Sequence, residues 1–239
     1  MPCEQPRGPV LRRVVEHPDD PLPRDVWPAG VPAVAQLLEE GLDLGPATVL
    51  VGANGSGKST LVEAIAEAHG LNAEGGTHHV RHQTRRSTSS LAEHLRLERP
   101  GGAPRGGLFL RAETMYGLFT HLEEQAIRPG LHERSHGEAF LDFLTERSGV
   151  RGLWVLDEPE SALSFDGCMA LLVLLLDRMA EGSQVLLATH SPVLAALPGA
   201  RVLEVGPLGL RQTAWEDLPE VQHWRRFLDS PQRYLRHLR

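Results

Sequence analysis

The sequence predicts an α/β fold of three layers, α/β/α, with helices on both faces of a mostly parallel central sheet. Three observations predict it. Apolar runs alternate with stretches of helical spacing, as a chain of βαβ units requires. The runs Leu153-Trp154-Val155-Leu156 and Gln184 to Ala188 are apolar almost throughout rather than alternating, which marks strands buried on both faces. A glycine-rich loop, Gly52-Ala53-Asn54-Gly55-Ser56-Gly57-Lys58-Ser59-Thr60, stands where one such run turns into a helix.

In order along the chain, Val10 to Val15 reads as a short edge strand, and Val31 to Glu40 as a helix with Val34, Leu37 and Leu38 on one face. Leu42 to Val51 reads as the strand that delivers the loop, and Leu61 to His69 as the helix behind it. Thr77 to His82 suggests a strand, Leu91 to Leu97 a helix, and the glycines of Gly101 to Gly107 a turn into the strand Leu108-Phe109-Leu110. Helices follow over Met115 to Ile127 and after Ser135, where Ser135 and Glu138 make a capping box. Leu153 to Asp157 is a buried strand, Ala162 to Ala180 a long helix, and Gln184 to Ala188 another buried strand ending in Thr189-His190-Ser191. Val202 to Val205 and Leu208 to Thr213 form a terminal hairpin, and a helical tail runs from about 217 to 239. One domain over residues 1–239 is expected.

With 239 residues and 41% apolar content the chain can bury a core, and a net charge of -7 argues against a surface that coats nucleic acid throughout. Cys3 and Cys168 are too few and too far apart for a disulfide framework. No leader segment is legible, and the longest apolar run, Met169 to Leu176, falls well short of the ~20 residues of a membrane span. A soluble, cytoplasmic protein is expected.

The loop carries chemistry. Its spacing, Gly, four residues, Gly, Lys, Ser, is that of a phosphate cradle in which glycines turn backbone N–H groups inward and a helix N-terminus adds positive charge. Lys58 would reach the β- and γ-phosphates, and Ser59 would ligate Mg²⁺. Lys58 is the only lysine among 24 basic residues; a compact ammonium suits a crowded cradle better than a planar guanidinium does. Asp157 and Glu158 close a buried strand, where residues face the ligand crevice of an open α/β sheet.

Loop, Ser-x-Gly-Glu helix start, four apolars with Asp-Glu-Pro, Ser-Ala-Leu-Ser, then strand with Thr-His-Ser: this order resembles that of the ABC-type ATPases, over Leu42 to about Pro207. The resemblance implies ATP and Mg²⁺ as ligands. It makes Gly52 to Ser59 the Walker A motif, Leu153 to Asp157 Walker B with Asp157 on the metal, and Glu158 the residue that activates water. Ser161 to Leu163 becomes the D-loop, His190 the switch histidine, and Ser135 with Gly137 a divergent signature, with His136 where the family usually has glycine. It also implies a small N-terminal antiparallel β part, a shortened helical insertion, and an ATP-bound head-to-tail homodimer. Arg111-Ala112-Glu113 and Phe227 to Tyr234 resemble, more narrowly, small stand-alone bacterial ATPases of the RecF and SMC branch. Output on DNA or a protein partner is the alternative, a transporter subunit is disfavoured by the short insertion, and ATP against GTP stays open.

His78, His79 and His82 lack further ligands and read as an ordinary strand rather than a metal centre. Arg81, Arg85 and Arg86 read as a solvated loop, with nucleic acid as the other reading. Trp27 is a candidate for stacking on the base, with burial in the core favoured. The tail aromatics Trp224, Phe227 and Tyr234, beside Arg225, Arg226, Arg233, Arg236 and Arg239, are expected to dock on their own domain.

Overall fold

The computed structural model describes residues 9–71, 89–112, 136–147 and 149–236. A six-stranded sheet forms the middle layer. Its strands are β3 (Ala47–Val51), β5 (Gly107–Arg111), β6 (Leu153–Asp157), β7 (Gln184–Thr189), β8 (Arg201–Gly206) and β9 (Gly209–Gln212), in the spatial order β5-β6-β7-β3-β8-β9. All neighbours are parallel except the β8–β9 hairpin at one edge. Alternate residues feed opposite cores: Leu153, Val155, Leu186 and Ala188 face one side, Trp154, Leu156, Val185 and Leu187 the other. This is why the sequence shows unbroken apolar runs.

Helices α1 (Pro32–Glu40) and α2 (Lys58–His69) cover the first face. The second is covered by α3 (His136–Glu146) and α4 (Phe165–Ala180), joined by Leu218 and Val221 at the start of α5 (Pro219–Asp229). A three-stranded antiparallel sheet, β2-β1-β4, made of β1 (Arg13–Glu16), β2 (Leu42–Asp43) and β4 (Leu95–Glu98), packs its apolar side into the first core. One tie to the middle layer is Gln184, whose buried amide accepts from Leu11 N–H (2.7 Å) and donates to the Leu11 (2.9 Å) and Gly45 (2.7 Å) carbonyls; another is Arg201 of β8, whose Nη1 donates to the Asp43 carbonyl of β2 at 2.7 Å.

The expected fold class is therefore the observed one, with local corrections. β1 is the centre of its sheet rather than an edge, because Val14 pairs with both Leu42 and Leu97. Leu42 to Val51 is two strands in different sheets, broken at Leu44 to Pro46. Leu91 to Leu97 is a 3₁₀ turn at Ser90–His94 followed by β4. The long helix α4 begins at Phe165, where Ser164 caps it by accepting from Gly167 N–H at 3.1 Å; Pro159–Ala162 is a separate 3₁₀ turn. The expected elements at Thr77 to His82 and Met115 to Ile127 lie outside the described residues, as do Cys3, Arg81, Arg85, Arg86, Glu113, Ser135 and Arg239.

Two expectations of burial are overturned. Trp27 is 62% exposed. In the tail, α5 and α6 (Gln232–Leu235) bury only Val221, while Trp224, Leu228, Tyr234 and Leu235 face outward. The aromatics pack on one another instead, Phe227 standing edge-on to Trp224 (6.4 Å) and to Tyr234 (5.7 Å). Helical spacing gathers apolar residues on one face, but it does not say what covers that face.

Candidate functional site

Three adjacent strands end at one place. β3 runs into the glycine loop, β6 ends in Asp157-Glu158, and β7, between them, ends in Thr189-His190. Parallel register puts Val51 opposite Thr189 and Asp157 opposite Ala188, so the three loops leave the sheet at the same level.

The loop's shape depends on its glycines. A side chain on Gly52 would strike the Val205 carbonyl oxygen, so only glycine lets the loop leave the sheet beside β8. Gly55 and Gly57 have φ of 76° and 101°, the left-handed region that glycine enters without strain. Gly57 caps α2, and the Val31 side chain, four residues after Trp27, packs against it. Ala53, Asn54 and Gly55 are exposed at the tip, while Thr60 is half-buried on the first turn of α2.

Lys58 is buried, and its Nζ donates to the Gly52 (2.8 Å) and Ala53 (3.1 Å) carbonyls. Nζ is also 2.9 Å from His190 Nε2, which is 3.2 Å from Glu158 Oε1. A single ring nitrogen accepts from the ammonium or donates to the carboxylate, never both at once, so this row of three can exchange one hydrogen bond for the other. Burial lowers the Lys58 pKa, opposed by the charges of Glu158, Asp157, Glu160 and Glu220.

Asp157 is 1% exposed, and burial pushes its carboxyl up to about 6, against the pull of the Arg111 guanidinium and of Ser59. Oδ1 accepts from Ser59 Oγ at 3.1 Å; Oδ2 is 3.4 Å from Arg111 Nε, and Arg111 Nη1 bonds Glu63 of α2. Glu158 is the one described non-glycine residue with positive φ (48°), a conformation that costs of order 1–3 kcal/mol and is held by its N–H bond to the Ala188 carbonyl, 2.9 Å. Ser161 Oγ donates to the Glu158 carbonyl (2.8 Å), and Gly137, on the first turn of α3, is held against the Ala162 carbonyl.

The predicted residues of the loop, of Asp157-Glu158 and of His190 thus converge. Sequence reasoning missed Arg111, Glu63 and Glu160. Arg111 had a readable signal, since it closes an apolar strand as Asp157 does and pairs with it in register. Glu160 had none: its Oε1 accepts from the main-chain N–H of His190 and of Ser191, contacts that exist only in the folded chain.

A family model described as "AAA domain, putative AbiEii toxin, Type IV TA system" matches residues 138–196. The cytochrome c biogenesis ATP-binding export protein CcmA of Paramagnetospirillum magneticum is 30% identical over 74% of this chain and 88% of its own length. The chain belongs to the ABC-type ATP-binding proteins. The CcmA of Rhodopseudomonas palustris strain BisB18 is 31% identical over 70% of this chain and 89% of its own length. A solved structure described as "An inward-facing conformation of a putative metal-chelate type ABC transporter" has a TM-score of 0.45 and 16% identity, covering 75% of this chain and 76% of that one. Neither CcmA is a protein of the RecF and SMC branch, so the relationship that holds is with ABC ATP-binding proteins at large.

As an ABC-type protein the chain is an ATP hydrolase, and the family implies ATP and Mg²⁺. The residues fit both. Ser59 Oγ and Asp157 Oδ1 are oxygen ligands of the kind Mg²⁺ takes, side by side at the foot of the loop. Ser56 Oγ, inside the loop, is buried with no partner among the described residues, as suits a group facing a phosphate. No described helix is long and apolar enough to cross a membrane.

Proposed function

We propose that Lys58 binds the β- and γ-phosphates of ATP, that Glu158 activates water, and that His190 senses the γ-phosphate. The supporting observation is the row Lys58 Nζ, His190 Nε2, Glu158 Oε1, with steps of 2.9 and 3.2 Å, beside the Ser59–Asp157 pair. A phosphate oxygen arriving at Lys58 takes over the ammonium's hydrogen bonds and frees His190 Nε2 to donate to that oxygen. Glu158 then accepts a proton from water aligned with the γ-phosphorus. Ser59 and Asp157 would hold Mg²⁺, which when bound would supply charge neutralisation of the phosphates. We assign the exposed indole of Trp27 to stack on the base.

In this reading a second copy completes the site with the helix start at Ser135 and Gly137, the first turn's dipole facing the γ-phosphate. ATP holds two copies head to tail, and hydrolysis releases them. The test is Glu158→Gln with MgATP. It should bind nucleotide by calorimetry and run as a dimer at micromolar concentration; a monomer that binds ATP fully would sink the sandwich.

Two observations favour particular outputs. The CcmA relatives are by name export proteins, which favours an ATPase subunit of an export system; co-purification with a membrane protein tests that. The outward aromatics of α5 and α6, flanked by Arg225, Arg226, Arg233 and Arg236, favour a nucleotide-gated switch that docks DNA or a protein partner. Filter binding to DNA across a salt series tests that, because a phosphate-reading surface weakens steeply between low and physiological salt.

A further inference from the structure

We propose that Glu160 is a positioning residue for His190, setting where the imidazole stands by gripping the main chain under it. The inference rests on the reading of His190 given above. Glu160 belongs to the 3₁₀ turn Pro159–Ala162, which begins directly after Glu158. Its Oε1 accepts from His190 N–H, a short bond, and from Ser191 N–H at 3.2 Å, and Thr189 Oγ1 accepts from Ser191 N–H at 2.9 Å. The end of β7 is thus clamped to the turn that carries Glu158. One short piece of backbone therefore bears both Glu158 and the acceptor that holds His190, so the 3.2 Å between Oε1 of Glu158 and Nε2 of His190 is fixed from both ends.

The rest of the side chain is placed at some cost. Glu160 Oε2 is buried without a partner among the described residues. A buried carboxylate oxygen left unbonded is expensive, and a short hydroxyl side chain at this position would avoid that cost but not span to the two N–H groups. What the long carboxylate arm supplies is reach, from the turn after β6 to the end of β7.

Three variants separate positioning from a charge effect. Glu160→Gln keeps the length and the Oε1 acceptor while removing the charge. Glu160→Asp keeps the charge and shortens the arm by one methylene. Glu160→Ala removes both. Positioning predicts that Glu160→Gln turns over within about threefold of wild type, while Glu160→Asp and Glu160→Ala lose about 10²-fold in kcat, the scale of a 1 Å misplacement, with KM for ATP changed less than twofold. In the His190→Ala background the Glu160 substitutions should add nothing further, because there is no imidazole left to place. Glu160→Gln slower than Glu160→Asp, or losses that multiply with His190→Ala, would overturn the proposal. A readout apart from turnover is the imidazole NMR signal of His190, assigned by its loss in His190→Ala: it should move in Glu160→Asp and stay in Glu160→Gln. A signal unmoved in Glu160→Asp overturns the positioning role. Full turnover of His190→Ala would instead overturn the reading of His190, leaving the NMR result to decide the clamp.

Discussion

Ser59 Oγ lies 3.1 Å from Asp157 Oδ1, although 98 residues separate them. One stands on the first turn after the glycine loop and the other at the end of β6, so the pair exists only because β7 alone separates β3 from β6. Ser59→Ala is expected to leave the fold and the phosphate cradle intact while raising the Mg²⁺ needed for half-maximal turnover by about tenfold, the loss of one good ligand of about 1.4 kcal/mol. Turnover titrated with Mg²⁺ at fixed ATP checks this; an unchanged requirement would remove Ser59 from the metal.

Asp157 ties stability to pH. Its carboxyl is raised from 3.8 to about 6, mainly by burial, so the native protein holds this proton more tightly than the unfolded chain does. The contribution is therefore whole below about pH 4 and lost as pH rises through 6. Relative to Asp157→Asn, the wild-type protein free of nucleotide and metal should lose about 2 to 3 kcal/mol between pH 4 and pH 8. Urea denaturation of both at the two pH values measures it; a constant difference would contradict it.

The loop glycines should fail for different reasons. Alanine at Gly52 drives a methyl into the Val205 carbonyl and must push β8 away, costing about 1–3 kcal/mol. Alanine at Gly55 meets nothing within 4 Å, so only its φ of 76° penalises it, by about 1 kcal/mol. Thermal melts rank the two, and nucleotide affinity should fall further for Gly52→Ala.

Trp154 is fully buried in β6, with its indole N–H donating to the Val150 carbonyl at 2.9 Å. Trp154→Ala should cost about 3–5 kcal/mol, since a large, fully buried side chain is removed from the second core. Chemical denaturation gives the number, and a loss below about 1 kcal/mol would mean the second core refills the space.

What the sequence made legible was local. The glycine loop, the acids after Leu156 and the histidine after Thr189 each sit at a strand end that short-range patterning reveals, and those strand ends meet. Pairing was not legible: nothing near Leu95 to Leu97 says that these residues join Val14 to Glu16 as a strand instead of continuing a helix. Nor was covering. Trp27 is a large apolar side chain expected in the core and Trp224 lies at the helical spacing of a buried face, and both are exposed. Arg111 and Glu160 act through partners 46 and 30 residues away, Asp157 and His190, and only the sheet order brings those together.

Gln184 imitates a strand partner for Leu11, exchanging two hydrogen bonds with it as a neighbouring backbone would. An expression fragment trimmed to begin at the phosphate-loop strand would strip that partner away and lay bare the foot of β7 and the first core that Leu11, Val14, Val34 and Leu37 help to fill, at the far end of the strand that carries His190. Anyone seeking a minimal nucleotide-binding piece of this molecule must therefore keep the leading segment that contains Leu11, which also carries the Val31 side chain packed against Gly57.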